Sequence, residues 1–226
     1  MNANHTEPAR REAETLDWGR TPYRTAWERQ LERLKLRRDN RVPDALIFTE
    51  HDPVFTIGKR VGAARHLIWS ETERAGHGVE VIETDRGGDV TYHGPGQIVG
   101  YPIVSLANTG DLHHYLRLIE QVLIDSVGAL GLAASRREGM TGVWLGDRKV
   151  AAIGVAVKRW ITMHGFALNR DPDLAHFSGI VPCGLTGASV TSLSRELGYA
   201  PDPEEVKRLL AENFWKHFRR LKTGKS

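Results

Sequence analysis

The sequence is poor in cysteine: its 226 residues include one, Cys183. No disulfide can close within the chain, and a zinc site built from several thiolates is excluded. Long apolar runs are also missing. None approaches the ~20 residues of a membrane-spanning helix. Residues 1–20, MNANHTEPARREAETLDWGR, lack the apolar block of a signal peptide, and Glu7, Glu12 and Glu14 argue against an acid-poor transit peptide. The expectation is a cytoplasmic protein with a disordered tail over 1–16 and a single domain over 17–226. Ten histidines are present, yet none falls in an HExxH pair. His113 and His114 are neighbours on an expected helix and diverge by about 100°, so no metal is expected. The GxxxxGK[ST] phosphate loop, internal repeats and low-complexity linkers are absent as well.

What is present suits a soluble globular chain. Apolar residues make up 40% and charged residues 26%, enough to bury one substantial core at this length. The net charge is +3 and the isoelectric point about 9.1. The excess sits in RLKLRR (33–38) and KHFRRLKTGK (216–225), on or beside expected helices, where solvated faces account for it. No continuous basic groove with stacking aromatics is visible, so neither nucleic acid nor a membrane is expected as a partner.

Periodicity divides the chain into elements. Residues 21–39 read as a helix with Tyr23, Trp27, Leu31 and Leu34 on one stripe. ALIFTEH (45–51) and VFTIGKR (54–60) read as strands around Pro53, followed by strands at 79–84 and 97–106. Asp111 opens a helix that Gly131 stops. GVWL, a Gly-Asp turn, KVAAIGVAVKRW and ITMHGFALN then form a strand-rich stretch, the dipeptide marking a hairpin. Asp202 and Pro203 begin a last helix. Helices thus surround mainly hairpin-connected strands, an α+β single domain rather than strict strand–helix alternation.

Four stretches have unusual composition: RGGDVTYHGPGQ (86–97), DRKVAAIG (147–154), MHGFALN (163–169) and GIVPCGLTGASVTSL (179–193). Glycine costs roughly 0.5–1 kcal/mol in a regular element relative to alanine, so the first cluster needs turn geometry or a close approach to backbone. Small residues in the second and third mark either a ligand or tight sheet packing. Cys183, between Pro182 and Gly184, is either an inert small hydrophobe or a nucleophile on a loop. Lys149 is either a solvated hairpin charge or a functional one. His93 and His164 are candidate bases or satisfied structural histidines. Residue chemistry alone leaves these alternatives open.

At these residues the chain resembles the lipoate-protein octanoyltransferases. RGGDVTYHGPGQIVGYP is similar to the long family signature, KVAAIG to its lysine segment and GIVPCGLTGASVTSL to its cysteine loop. The resemblance covers about residues 46–196. Asp89 falls at a variable place in the signature, and Phe166 stands where the family often has leucine. The resemblance implies the mixed sheet flanked by helices of biotin and lipoate protein ligases. It implies octanoyl transfer from octanoyl-acyl carrier protein to a lysine of lipoyl domains, in 2-oxoacid dehydrogenase complexes and the glycine cleavage H protein, with no cofactor. A monomer is expected.

Cys183 would carry the acyl group as a thioester, and Lys149 would lower the thiol pKa, about 8.5 when unperturbed, and shuttle protons. Arg86, Gly87, Gly88, Asp89, Val90, Thr91, Tyr92 and His93 would line the acyl site. So would Ala152, Ile153 and Gly154 of one strand and Gly165, Phe166 and Ala167 of the next. Burying seven methylene or methyl groups at ~0.8 kcal/mol each would supply on the order of 5 kcal/mol, which calls for a narrow slot lined by glycine and alanine.

Overall fold

The computed structural model describes residues 13–107, 109, 111–181 and 189–223. It begins with strand β1 (Glu14–Arg20), which pairs in parallel with β2 (Ala45–Glu50) across helix α1 (Tyr23–Arg38). This corrects the expected tail over 1–16, because residues 14–16 already belong to a sheet. Half-buried Glu14, Leu16 and Trp18 alternate with exposed neighbours. A polar edge strand of this kind gives little periodic signal in the sequence. Helix α1 buries Tyr23, Ala26, Gln30 and Leu34, whereas Leu31 of the expected stripe is exposed.

Strand β3 (Val54–Ile57), helix α2 (Glu71–Gly76), β4 (Glu80–Glu83) and β5 (Thr91–His93) follow, then β6 (Gln97–Ile103) and helix α3 (Leu112–Ala129). β7 (Ala134–Arg137), β8 (Met140–Leu145), β9 (Arg148–Lys158) and β10 (Ile161–Asn169) form an antiparallel run. β11 (Ser189–Val190), α4 (Leu193–Leu197) and α5 (Pro203–Thr223) complete the described chain. The Asp111 carboxylate caps α3 by accepting the N–H groups of His113 at 2.8 Å and His114 at 3.2 Å. At the β9–β10 turn Arg159 and Trp160 both adopt left-handed φ, 51° and 63°, the twist a two-residue hairpin needs.

The strands divide into two sheets. The larger runs β1-β2-β6-β10-β9-β8-β7, with β11 added in parallel to β9; the smaller runs β4-β3-β5. β2 and β3, neighbours in sequence around Pro53, therefore lie in different sheets. Parity decides which core each side chain of the larger sheet enters. Leu46 and Phe48 of β2, Ile98 of β6, and Phe166 and Leu168 of β10 pack with α3 and α5 through residues such as Ile119, Leu123, Leu210 and Phe214. The alternate positions, Ala45, Ile47, Val99, Tyr101, Met163 and Ala167, face Ala26 and Leu34 of α1. The smaller sheet has its own core of Phe55, Val90, Tyr92 and Phe177. This architecture is a single domain with a mixed sheet flanked by helices. Among the described residues no helix is long and apolar enough to cross a membrane.

Gly165 shows how tightly the central strands meet. A Cβ built there would stand 2.1 Å from the Gly100 carbonyl oxygen of β6 and 2.7 Å from Pro102 Cδ. Gly165→Ala is expected to push β10 from β6 and to destabilise the protein by about 1–3 kcal/mol. Thermal unfolding checks this; an unchanged midpoint would contradict the packing.

Candidate active site

A cavity of about 350 Å³ opens between the α1-facing side of the larger sheet, the glycine-rich segment 86–93 and helix α1. Cross-strand pairing builds its floor. Ala152 lies opposite Ala167, and Gly154 opposite Gly165, while the intervening pair Ile153–Phe166 belongs to the opposite parity. Small side chains therefore meet on the cavity face, and bulky ones enter the α3/α5 core. Phe166 and Ile153 border the cavity, but the Phe166 ring lies across Gly100, where a Cβ would come within 2.2 Å of its Cζ.

Ala152 and Ala167 provide the clearance expected of an alkyl slot. Gly154 has a different use. Its missing Cβ would stand 2.9 Å from the Gly87 carbonyl oxygen and 3.2 Å from Arg86 Cδ, so glycine admits the 86–88 loop onto β9. Gly87 itself does not line the cavity; its N–H donates to the Val155 carbonyl at 2.8 Å. Buried Arg86 donates through Nη2 to the Thr56 carbonyl at 2.6 Å and through Nη1 to the Gly87 carbonyl at 3.1 Å. Gly88, at φ 90°, completes the turn. Asp89 accepts from the Val90 N–H at 2.7 Å and pairs with His66 at 2.7 Å and Arg60 at 3.2 Å.

Strand alternation separates Tyr92 from its neighbours. Thr91, His93 and Val90 line the cavity. The Tyr92 ring instead enters the core of the smaller sheet and stacks on His176 with centroids 4.9 Å apart. Burial raises the Tyr92 phenol pKa to about 12. His93 is buried and neutral: desolvation above all, with electrostatic repulsion from neighbouring groups including the Arg86 guanidinium, drives its pKa well below the usual histidine value.

Lys149 reaches the cavity because β9 is irregular. Val143 of β8 lies opposite Ala151, but Trp144 lies opposite Lys149, leaving Val150 as an extra residue. Such a bulge re-aims a side chain. Without it, Lys149 and Ala152, three residues apart, would point to opposite faces. The buried ammonium donates to the Thr141 carbonyl at 3.0 Å and lies 5.5 Å from the Trp144 ring centroid. Gly142 leaves room for its stem, since a Cβ there would be 2.5 Å from Lys149 Cε. The Gly142 N–H donates at 3.2 Å to buried Glu120, whose other oxygen accepts from Arg117 at 2.7 Å and Arg136 at 3.0 Å.

The lining residues that sequence reasoning did not single out include Tyr23, Gln97, Tyr101 and Asn169. Gln97 closes the glycine-rich motif, and Gln97, Val99 and Tyr101 alternate along β6, which is the signal that could have found two of them. Gln97 Nε2 donates to Asn169 Oδ1 at 2.9 Å, and Asn169 Nδ2 to the Thr191 carbonyl at 2.9 Å. Thr191 in turn donates its N–H to the Lys149 carbonyl at 2.9 Å. His164, the other candidate base, is also in the lining, with Nε2 on Asp85 at 2.7 Å. Cys183 lies outside the described residues. Among the described residues no three His, Cys, Asp or Glu side chains gather as a metal site requires.

The architecture is that of lipoate and biotin protein ligases. A crystal structure of lipoate-protein ligase A bound with ATP matches with a TM-score of 0.76 over 92% of this chain and 86% of that one, at 18% identity. Biotin protein ligase from Aquifex aeolicus matches at 0.55 over 94% and 71%, at 8% identity. Identities this low establish the fold alone. Sequence relatives go further. The family model for the lipoyl protein ligase A/B catalytic domain matches residues 22–215. The octanoyltransferase of Flavobacterium psychrophilum is 42% identical over 91% of this chain and 94% of its own length. That of Gloeobacter violaceus is 52% identical over 76% and 75%. The chain belongs to the octanoyltransferases of this catalytic-domain family, and so to the acyltransferases.

Proposed function

We propose that the chain moves an octanoyl group from the pantetheine thioester of acyl carrier protein to a lysine of a lipoyl domain, through a thioester on Cys183, in the cytoplasm. The acceptors are the lipoyl domains of 2-oxoacid dehydrogenase complexes and the glycine cleavage H protein. The observation that carries the reading is this chain's cavity, whose alanine-paired floor ends at a buried lysine. The described residues on either side of Cys183 in sequence support it. Val190, seven residues after Cys183, pairs with Lys149, and the Val181 N–H donates to the carbonyl of His66, the partner of Asp89.

The steps balance without a nucleotide. The Cys183 thiolate attacks the carrier thioester carbonyl, forming one C–S bond and breaking another, and Lys149 protonates the departing pantetheine sulfur. The acceptor amine then attacks the Cys183 thioester and gives its proton to Lys149, and the cysteine leaves. The first exchange is nearly level in free energy, and amide formation runs downhill. Arg86, Gly88, Asp89, Val90, Thr91 and His93 close the cavity over the chain, and Ala152 and Ala167 form its floor.

The test is a pair of reactions read by intact mass of the acceptor. Octanoyl-carrier protein, an apo lipoyl domain and EDTA, without nucleotide, should yield octanoylated acceptor. Free octanoate with Mg-ATP in place of the carrier should not. Product only in the second reaction would make the chain a ligase and overturn the proposal.

A further inference from the structure

The inner end of the cavity, away from Lys149, is polar in a specific way. Along β6 the floor runs from Gln97, at the Lys149 end, through Val99 to Tyr101, about 13 Å at the usual strand rise. At this far end lie Tyr23, Tyr101 and His164, with His93 stacked on Tyr23 at 5.8 Å between ring centroids. The hydroxyl and imidazole donors there are committed elsewhere. His51 Nδ1 lies 2.7 Å from the Thr21 carbonyl oxygen and must donate to it, so its Nε2 accepts the Tyr101 hydroxyl proton at 2.6 Å. Burial keeps His51 neutral, with a pKa of about 4. His164 repeats the pattern. Its Nε2–H faces Asp85 at 2.7 Å, leaving Nδ1 to accept from Tyr23 Oη at 3.4 Å. Burial also lowers the His164 pKa, outweighing Asp85. Burial disfavours the Asp85 charge, but its bonds to His164 and Lys158 outweigh this and hold the carboxyl ionised. His93 donates through Nδ1 to Gln97 Oε1 at 3.2 Å, the amide orientation being fixed by the Gln97 bonds to Tyr92 and Asn169. Its remaining nitrogen is an acceptor.

Tyr23, Tyr101 and His93 therefore offer lone pairs and no proton. Arg86, itself in the lining, gives Nε and Nη2 to Thr56 and one Nη1–H to the Gly87 carbonyl among its bonds. The buried donors that find no partner nearby, Trp27 Nε1 and Gln30 Nε2, belong to α1 residues outside the lining. The arrangement is held at a cost. His164 sits at φ 56° inside β10, a strained backbone for a residue with a side chain, and its N–H is held by Gln30 Oε1 at 2.8 Å. Buried acceptors that meet no donor are unfavourable.

We propose that this end of the cavity is a polar stop that takes a hydroxyl-type hydrogen-bond donor, water in the first instance, and thereby sets the length of alkyl chain the cavity accepts. The inference rests on the acyl-transfer reading and deepens it. An alkyl tail that stops short leaves the donor in place. A longer tail presses a methyl group, which donates nothing, against Tyr23 and Tyr101. A longer tail ending in a hydroxyl replaces the donor it displaces.

Equilibrium binding of free fatty acids tests this without any transfer step, so a failed transfer assay would count against the functional reading and not against the stop. Octanoic, decanoic and dodecanoic acids, and the last two with a terminal hydroxyl, are titrated into the unmodified protein by calorimetry. Affinity should fall at the first length that reaches the stop, and at that length the hydroxyl should restore roughly three- to tenfold. The advantage should vanish in Tyr23→Phe/Tyr101→Phe, whose folding is checked by thermal unfolding. The ranking on the unmodified protein stands even if that variant misfolds. A steady gain through twelve carbons, no gain from the hydroxyl, a gain that persists in the folded double variant, or no binding at all would each overturn the proposal.

Discussion

Replacing Cys183 with alanine is expected to reduce octanoyl transfer at least about 10³-fold, the scale on which enzymes lose rate when their nucleophile is removed. A thiolate attacks a thioester far more readily than an amine that is protonated at neutral pH. The covalent intermediate therefore divides one slow aminolysis into two faster exchanges. Without it, the acceptor lysine must attack the carrier thioester directly, aided only by the proximity that the cavity and the two protein partners provide. The intact mass of the protein after exposure to octanoyl-carrier protein gives a second readout. The unmodified chain should gain one hydroxylamine-labile octanoyl group, and Cys183→Ala none. Because Cys183 is the single cysteine, an adduct that remained labile in the variant would have to be an ester on another side chain. Full transfer by Cys183→Ala would sink the thioester mechanism.

Where sequence and structure differ, the reason is a contact distant in sequence. The Gly-Asp hairpin, the Asp111 cap and the Pro203 helix start were legible, because turn geometry and unsatisfied helix N–H groups are local demands. β1 was not. Its pairing with β2 becomes evident only once α1 has carried the chain back, and its acidic residues conceal the alternation. The site residues split in the same way. Ala152 and Ala167 were chosen because small residues break an apolar strand, and their cross-strand pairing explains that choice. Gly154 and Gly165 carry the same local signature for another reason, the approach of the 86–88 loop and of β6. Tyr92 was grouped with His93 as part of one motif, yet alternation sends it into the smaller sheet. Tyr23 and Asn169 could not be chosen at all. They come from α1 and the end of β10, and folding alone brings them to one cavity. The bulge at Val150 is equally silent in the sequence, although it is what turns Lys149 toward the floor.

That position makes Lys149 the second critical test. Lys149→Met keeps a flexible stem against Trp144 and Gly142 while removing the ammonium, so thermal stability should change little. Transfer should fall about 10²- to 10⁴-fold, the usual contribution of a positioned acid–base group. Under the proposed mechanism the ammonium also favours the Cys183 thiolate by direct attraction. The pH profile of iodoacetamide labelling at Cys183 should then move upward in the variant. A shift of one unit would slow labelling about tenfold below the thiol pKa. Lys149→Arg separates the two roles. A guanidinium keeps the positive charge but gives up no proton in this range, so labelling should recover toward that of the unmodified protein while transfer stays low. If Lys149→Met labels with an unchanged profile, the ammonium has no part in forming the thiolate. If Lys149→Arg restores transfer as well as labelling, charge alone suffices and the proton shuttle is wrong.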